Sequence, residues 1–219
     1  MRIRKLMAAL TLAVMVLLVP RVADAQTPRR NRGLDITLGV GGAGCTDLEC
    51  SGFDMSAQTR LQVLFRVVRY FAVGAHVGFQ FYSPNRTLAN YYDLGWSMVI
   101  GPEVRGILPV GPLEAWLGFT AGYMRMQVDQ ENDDVNHVDV VWGNGFALGF
   151  GFGAQYFVHR RIALGLDFWL YKGFFSEMCS FENDTDPTEE LCWDLTDDDR
   201  SGIGVTFTFG ANITFFIPM

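Results

Sequence analysis

Apolar side chains recur at every second position through most of this chain, the period of a β-strand rather than of a helix. Leu34, Ile36, Leu38 and Val40 alternate with Asp35, Thr37 and Gly39, and the run from Ala57 to Val67 alternates with Gln58, Arg60, Gln62, Leu64 and Arg66. The cleanest segment sets Phe71, Val73, Ala75, Val77, Phe79 and Phe81 against Ala72, Gly74, His76, Gly78 and Gln80. Further on, Phe146, Leu148, Phe150 and Phe152 oppose a face built almost wholly of glycine, including Gly149, Gly151 and Gly153. The pattern predicts eight strands, over about 34–40, 57–67, 71–81, 94–105, 113–123, 142–156, 162–171 and 203–215.

The links between these segments alternate as well. Those after the second, fourth and sixth are short, among them Arg69-Tyr70, the Pro- and Gly-rich Leu108–Pro112, and Val158–Arg161. Those after the first, third, fifth and seventh are longer and polar, the last running from about Phe174 to Arg200. Short turns at one end and long loops at the other are the pattern of an up-and-down barrel in an outer membrane, with turns on the periplasmic side and loops outside.

Which face meets lipid follows from the residue types. A water-facing strand surface normally carries many Lys and Glu, yet here the less apolar face is mostly Gly, Ala, Ser, Thr and Gln with scattered charges. The apolar face is nearly free of charge in all eight segments. An apolar face suits lipid, and small polar residues suit a narrow packed lumen. The fold expected is therefore all-β, an eight-stranded antiparallel up-and-down transmembrane β-barrel, with a soluble barrel as the alternative. Tyr70, Phe71, Phe81, Tyr82, Trp96, Tyr123, Trp142, Tyr156 and Phe157 lie near strand ends and are expected to form interfacial girdles.

The N-terminus stands apart from this pattern. Arg2, Arg4 and Lys5 precede an apolar run from Leu6 to Val19, and Ala23-Asp24-Ala25 has the small-x-small form of a signal-peptidase site. Residues 1–25 are expected to be a cleaved signal peptide, 26–32 a short periplasmic arm, and 33–219 the barrel domain. Removing residues 1–25 takes four of the 17 Lys and Arg and one of the 24 acids, which moves the net charge from −7 to −10. That sign disfavours nucleic acid as a partner, since phosphate binding needs basic patches.

Three features resemble the small eight-stranded outer-membrane barrels of the OmpA-transmembrane, OmpX and OmpW-like group. They are the repeated Gly-aromatic alternation, the phrase Tyr156-Phe157-Val158-His159-Arg160-Arg161-Ile162-Ala163-Leu164-Gly165-Leu166, and the closing strand from Gly204 to Phe216. The resemblance implies a bacterial outer-membrane location. It also implies outer-membrane lipids and lipopolysaccharide as neighbours, and the barrel-assembly machinery as a partner during biogenesis. In that family the last strand usually ends in an aromatic residue; here Phe215-Phe216 is followed by Ile217-Pro218-Met219. A monomer is expected, with no periplasmic domain after the barrel.

Candidate chemistry sits in two places. By parity, Asp35, Arg60, Arg66, His76, Glu103, Arg105, Glu114 and Asp167 all face the lumen, with signs nearly balanced. An isolated charge is expensive in a narrow interior, so a salt-bridge network that plugs the barrel is expected, with an ion path as the alternative. The long loops hold the four cysteines, and pairing within each loop predicts disulfides Cys45–Cys50 and Cys179–Cys192; zinc is the alternative use of these residues. The loops are also acidic, with Asp129, Glu131, Asp133, Asp134 and Asp139 in the third, and ten carboxylates from Glu177 to Asp199 in the fourth. They lack the spacing of a calcium loop, and no metal or cofactor is expected.

Enzymes that modify lipid A are also small barrels, but His76, His137 and His159 have no serine at a suggestive spacing. The function expected is non-enzymatic, structural or surface-interacting, through the acidic loops. OmpW-like passive transport of small apolar molecules is the alternative, and lipid A modification a second one.

Overall fold

The computed structural model describes residues 31–45, 53–84, 92–132, 137–181, 190–194 and 205–219. The expected signal peptide lies outside the described residues, as does the arm up to residue 30. Among the described residues there are ten strands: β1 (Gly33–Cys45), β2 (Phe53–Asp54), β3 (Ser56–Val68), β4 (Phe71–Pro84), β5 (Tyr92–Val110), β6 (Leu113–Asn132), β7 (His137–His159), β8 (Ile162–Phe181), β9 (Glu190–Asp194) and β10 (Val205–Pro218). Eight of them form a closed antiparallel ring in the order β10-β1-β3-β4-β5-β6-β7-β8, which β10 completes by pairing with β8 from Val205↔Lys172 to Phe215↔Ile162. Short β2 and β9 add to the loop end, on β4 and β8.

Period-two patterning sorts the side chains as the pleat requires. Leu64, Val99, Met124, Trp169 and Tyr171 are buried inside the ring, with Gln62, His76, Ser97 and Thr120 on the same face. The other face is exposed and apolar on every barrel strand, through residues such as Leu38, Val63, Phe79, Ile100, Phe119, Phe150, Leu166 and Phe209. Aromatic rings run across it from β7 through β8 to β10, Phe152 on Phe168 at 5.4 Å and Phe168 on Phe207 at 6.2 Å. An apolar surface that encircles a molecule far exceeds the patches tolerated on soluble monomers.

Glycine on the inner face of β7 has a packing cause. A Cβ on Gly151 would run into the Trp169 indole, one on Gly149 would meet Tyr171, and one on Gly153 would press on Trp116. Large rings from β6 and β8 fill the lumen only because β7 offers bare backbone there. Gly111 has a different role. Its φ of 63° lets the two-residue link Gly111-Pro112 turn β5 directly into β6.

The wall is uneven in height. β10, β1, β3 and β4 have 13 or 14 residues, whereas β5, β6, β7 and β8 have 19, 20, 23 and 20. The alternation predicted β6 to stop near Tyr123 and β7 to begin near Trp142, but their pairing continues to Asn132↔His137. Asp129, Glu131 and Asp139, expected in a loop, therefore lie in strands. A strand beyond the apolar band can face water on both sides, so it loses the pattern without losing its hydrogen bonds. β8 likewise continues past its apolar stretch, through a bulge where Phe175 pairs with Gly145 and Glu177 with Asn144, leaving Ser176 extra.

Three of the expected girdle aromatics are placed otherwise. Tyr82 and Phe157 share the parity of the lumen residues and are buried, Phe157 against Ala163 and Phe216. Trp142 is also buried, opposite Cys179 in register and with the Arg125 guanidinium 5.8 Å from its ring centre. Tyr70, Phe71 and Tyr123 are exposed on the outside.

Gly151→Val is expected to lower stability by about 1–3 kcal/mol or more through overpacking against Trp169. Leu166→Val on the exposed outer face is expected to change it little. Urea unfolding in detergent micelles, followed by tryptophan fluorescence, measures both.

Candidate functional site

All eight charged residues read from parity face the lumen, and the structure gathers them into two groups. Near the turn end, Arg66 on β3 forms a two-pronged pair with Glu114 on β6, both contacts at 3.0 Å. The same guanidinium holds Asp35 on β1 at 2.8 and 3.2 Å. The Gln155 amide donates to Glu114 at 3.0 Å, the Thr214 hydroxyl donates to the Gln155 carbonyl at 3.0 Å, and Thr214 meets Thr37 at 2.8 Å. The result is a belt of side chains drawn from β1, β3, β6, β7 and β10. The Phe216 ring centre lies 5.4 Å from the Arg66 guanidinium carbon.

The second group fills the middle of the lumen. Arg105 donates twice to Glu103, at 2.7 and 3.0 Å, and lies 3.9 Å from the centre of the Trp116 ring. The other oxygen of Glu103 accepts from Gln62 and meets His76 Nδ1, both at 2.9 Å. His76 Nε2 is 2.9 Å from the Tyr171 hydroxyl. β4 and β8 stand opposite each other in the ring, so this last contact spans its diameter. Arg60 on β3 pairs with Asp167 on β8 at 2.5 Å, and Asn212 on β10 donates to the same carboxylate. Trp169 packs among these groups, 4.7 Å from His76 and 5.7 Å from Trp116 between ring centres.

These contacts decide what the lumen can do. Charged groups removed from water need partners, and each carboxylate here has a guanidinium within reach. Arg66–Glu114, Arg60–Asp167 and Tyr171–His76 all join strands that are not neighbours, so the interior is crossed at several heights. With a proton on Nδ1, His76 donates to Glu103 and accepts from Tyr171. Hydroxyl, imidazole and carboxylate thus stand in the order that activates nucleophiles in open sites. Here His76 and Glu103 are shut away from solvent, at 0% and 1% exposure, with the Trp169 ring against the imidazole.

Parity alone identified the charges but not their uncharged partners. Gln62, Gln155, Tyr171, Asn212 and Thr214 share the lumen parity, and that would have been the signal for them. Which of them bond to which depends on strand stagger, a quantity without a trace in the local pattern.

At the loop end, Cys179 and Cys192 lie directly opposite in the β8–β9 register and form a disulfide with a Cα separation of 4.1 Å. Glu177 lies close to both sulfurs, but the sulfurs are bonded to each other and have no thiolate to offer a metal. Cys50, and with it the expected Cys45–Cys50 bridge, lies outside the described residues, as do most of the loop carboxylates.

No protein-family model and no curated protein matches this chain. Solved structures do. A major outer membrane protein from Thermus thermophilus superposes with a TM-score of 0.65 at 14% identity, over 85% of this chain and 99% of that one. Neisserial surface protein A (NspA) gives 0.53 at 12% identity, over 84% of this chain and 96% of its own. OprG from Pseudomonas aeruginosa gives 0.51 at 10% identity, over 84% and 97%. At such identities the likeness is one of fold. The chain has the closed eight-stranded antiparallel barrel of the small outer-membrane proteins.

Arg66→Met is expected to destabilise the barrel by about 3–5 kcal/mol, because it leaves Asp35 and Glu114 buried without a counter-charge. Adding Glu114→Gln is expected to restore part of the loss. Urea midpoints of the single and double variants give the comparison, and an unchanged midpoint for Arg66→Met would rule out the belt as a stabilising element.

Proposed function

We propose that this protein is a non-enzymatic integral barrel of the bacterial outer membrane, with its turns toward the periplasm. Its role is structural or one of surface interaction, exercised by the acidic loop end. The carrying observation is the lumen: side chains bridge it at Arg66–Glu114, Arg60–Asp167 and Tyr171–His76, which disfavours a solute path through those levels. The encircling apolar face supports the membrane assignment, since hydrocarbon is the medium in which such a surface is stable. The resemblance in fold to outer membrane proteins of Thermus, Neisseria and Pseudomonas supports the location.

The tall strands β5–β8 bear on the role. They exceed the ~9–11 residues that cross a bilayer, which leaves a β-sheet standing clear of the apolar band on one side. The disulfide between β8 and β9 ties the edge of that sheet. The acidic composition of the links at this end suits it to cationic partners and makes it repellent to anionic ones.

Reconstitution in planar bilayers tests the proposal. The wild-type protein is expected to give no reproducible conductance steps. Steady channels whose size changes with Glu103→Gln or Arg105→Gln would overturn the plugged-barrel reading in favour of transport.

A further inference from the structure

Charge is distributed along the barrel axis with unusual one-sidedness. Four acids lie in the lumen; the nineteen others of the chain after residue 25 all fall, in chain order, in or beside the links at the loop end. At the turn end the exposed charged side chains among the described residues are Arg32, Arg69, Arg160 and Arg161. The acidic side chains on the strands at this end, Asp35 and Glu114, are buried and committed to Arg66. A strongly acidic chain thus ends in a basic rim with no acidic side chain exposed beside it among the described residues.

Three of these arginines share a cavity. Arg32, just before β1, and Arg160 and Arg161, in the β7–β8 turn, line a pocket of about 530 Å³ together with Asn31, Phe216, Pro218 and Met219. The frame is fixed by backbone: the Phe216 N–H donates to the Arg161 carbonyl at 2.8 Å, and Gly33 pairs with Pro218. β10 therefore holds the two arginine-bearing segments on either side of its end. On the outer wall next to it, Ile217, Val158 and Leu164 are exposed and apolar. Guanidinium groups accordingly stand where the apolar band stops.

We propose that this pocket binds the phosphate headgroup of an anionic phospholipid from the leaflet at the turn end. The inference rests on the membrane-spanning reading above. Guanidinium matches phosphate with two parallel donors, which ammonium-type headgroup recognition does not require. The apolar wall beside it gives the acyl chains a continuous surface. That pairing favours a lipid over a free anion, and its position at the band edge favours lipid over a polymer further from the membrane.

Native mass spectrometry of the whole protein in detergent tests this, with equimolar phosphatidylglycerol and phosphatidylethanolamine of identical chains. Phosphatidylglycerol adducts are expected to dominate about fivefold or more, the scale of one to a few basic contacts. Arg32→Gln/Arg160→Gln/Arg161→Gln is expected to bring the ratio near one, while Arg69→Gln on another turn leaves it unchanged. Arg160→Gln alone, at an exposed turn position, serves if the triple variant fails to show the heat-modifiable migration of a folded barrel. Equal adducts for the wild type, or a preference that survives the substitutions, overturns the proposal. So does tight binding of glycerol phosphate without lipid, or arginine-dependent sedimentation with peptidoglycan and no lipid preference. A protein that stays soluble without detergent would refute the membrane reading itself, a result distinguishable from all of these.

Discussion

A sheet with an apolar outer face must dispose of its edge hydrogen bonds within itself. Water cannot reach them in hydrocarbon, and an open edge would leave two rows of backbone groups unpaired. The pairing of β10 with both β8 and β1 meets this constraint, and the other features follow from it. Closure at eight strands fixes a bore that side chains can fill. A filled bore needs small residues on one wall where large rings enter from another, which is why the glycines of β7 lie against Trp169, Tyr171 and Trp116.

The inside and outside of the barrel use opposite solutions to the same desolvation problem. Outward, charge is scarce and apolar contact is left to the surroundings. Inward, charges are retained and neutralised in place, Arg66 between Asp35 and Glu114, and Glu103 between Arg105 and His76. Buried ion pairs often contribute little net stability relative to apolar residues of the same size. Their directional bonds, however, fix which strands face each other across the bore, a form of specificity that Leu or Phe in the same places would not supply.

The eight barrel strands and the direction of most of their side chains are legible in the sequence because they depend on parity, which is local, and their up-and-down order follows from the alternating link lengths. Asp35 and His76 were placed in the lumen by their neighbours at i±2 alone. Where a second environment begins, the signal fails: Asp129 and Asp139 sit in strands that leave the apolar band, and Ser176 interrupts the count by a bulge. Tyr82 and Phe157 show the reverse error. Their aromatic character suggested the membrane boundary, while their parity already assigned them to the interior. The partners within the lumen were not legible, since Arg66 meets Glu114 across 48 residues of chain through the stagger of four strands.

The belt near the turn end also has a kinetic meaning. Asp35 comes from the first strand and Thr214 from the last, while Arg66, Glu114 and Gln155 lie between them. The circuit can therefore be completed only when the two ends of the sheet have met, late in assembly. Contacts made after the rate-limiting step do little for the speed of folding and act instead on the speed of unfolding. The belt is placed as a latch across the seam of the ring, where contacts completed after the rate-limiting step would act on the life of the closed barrel and not on the speed of its formation.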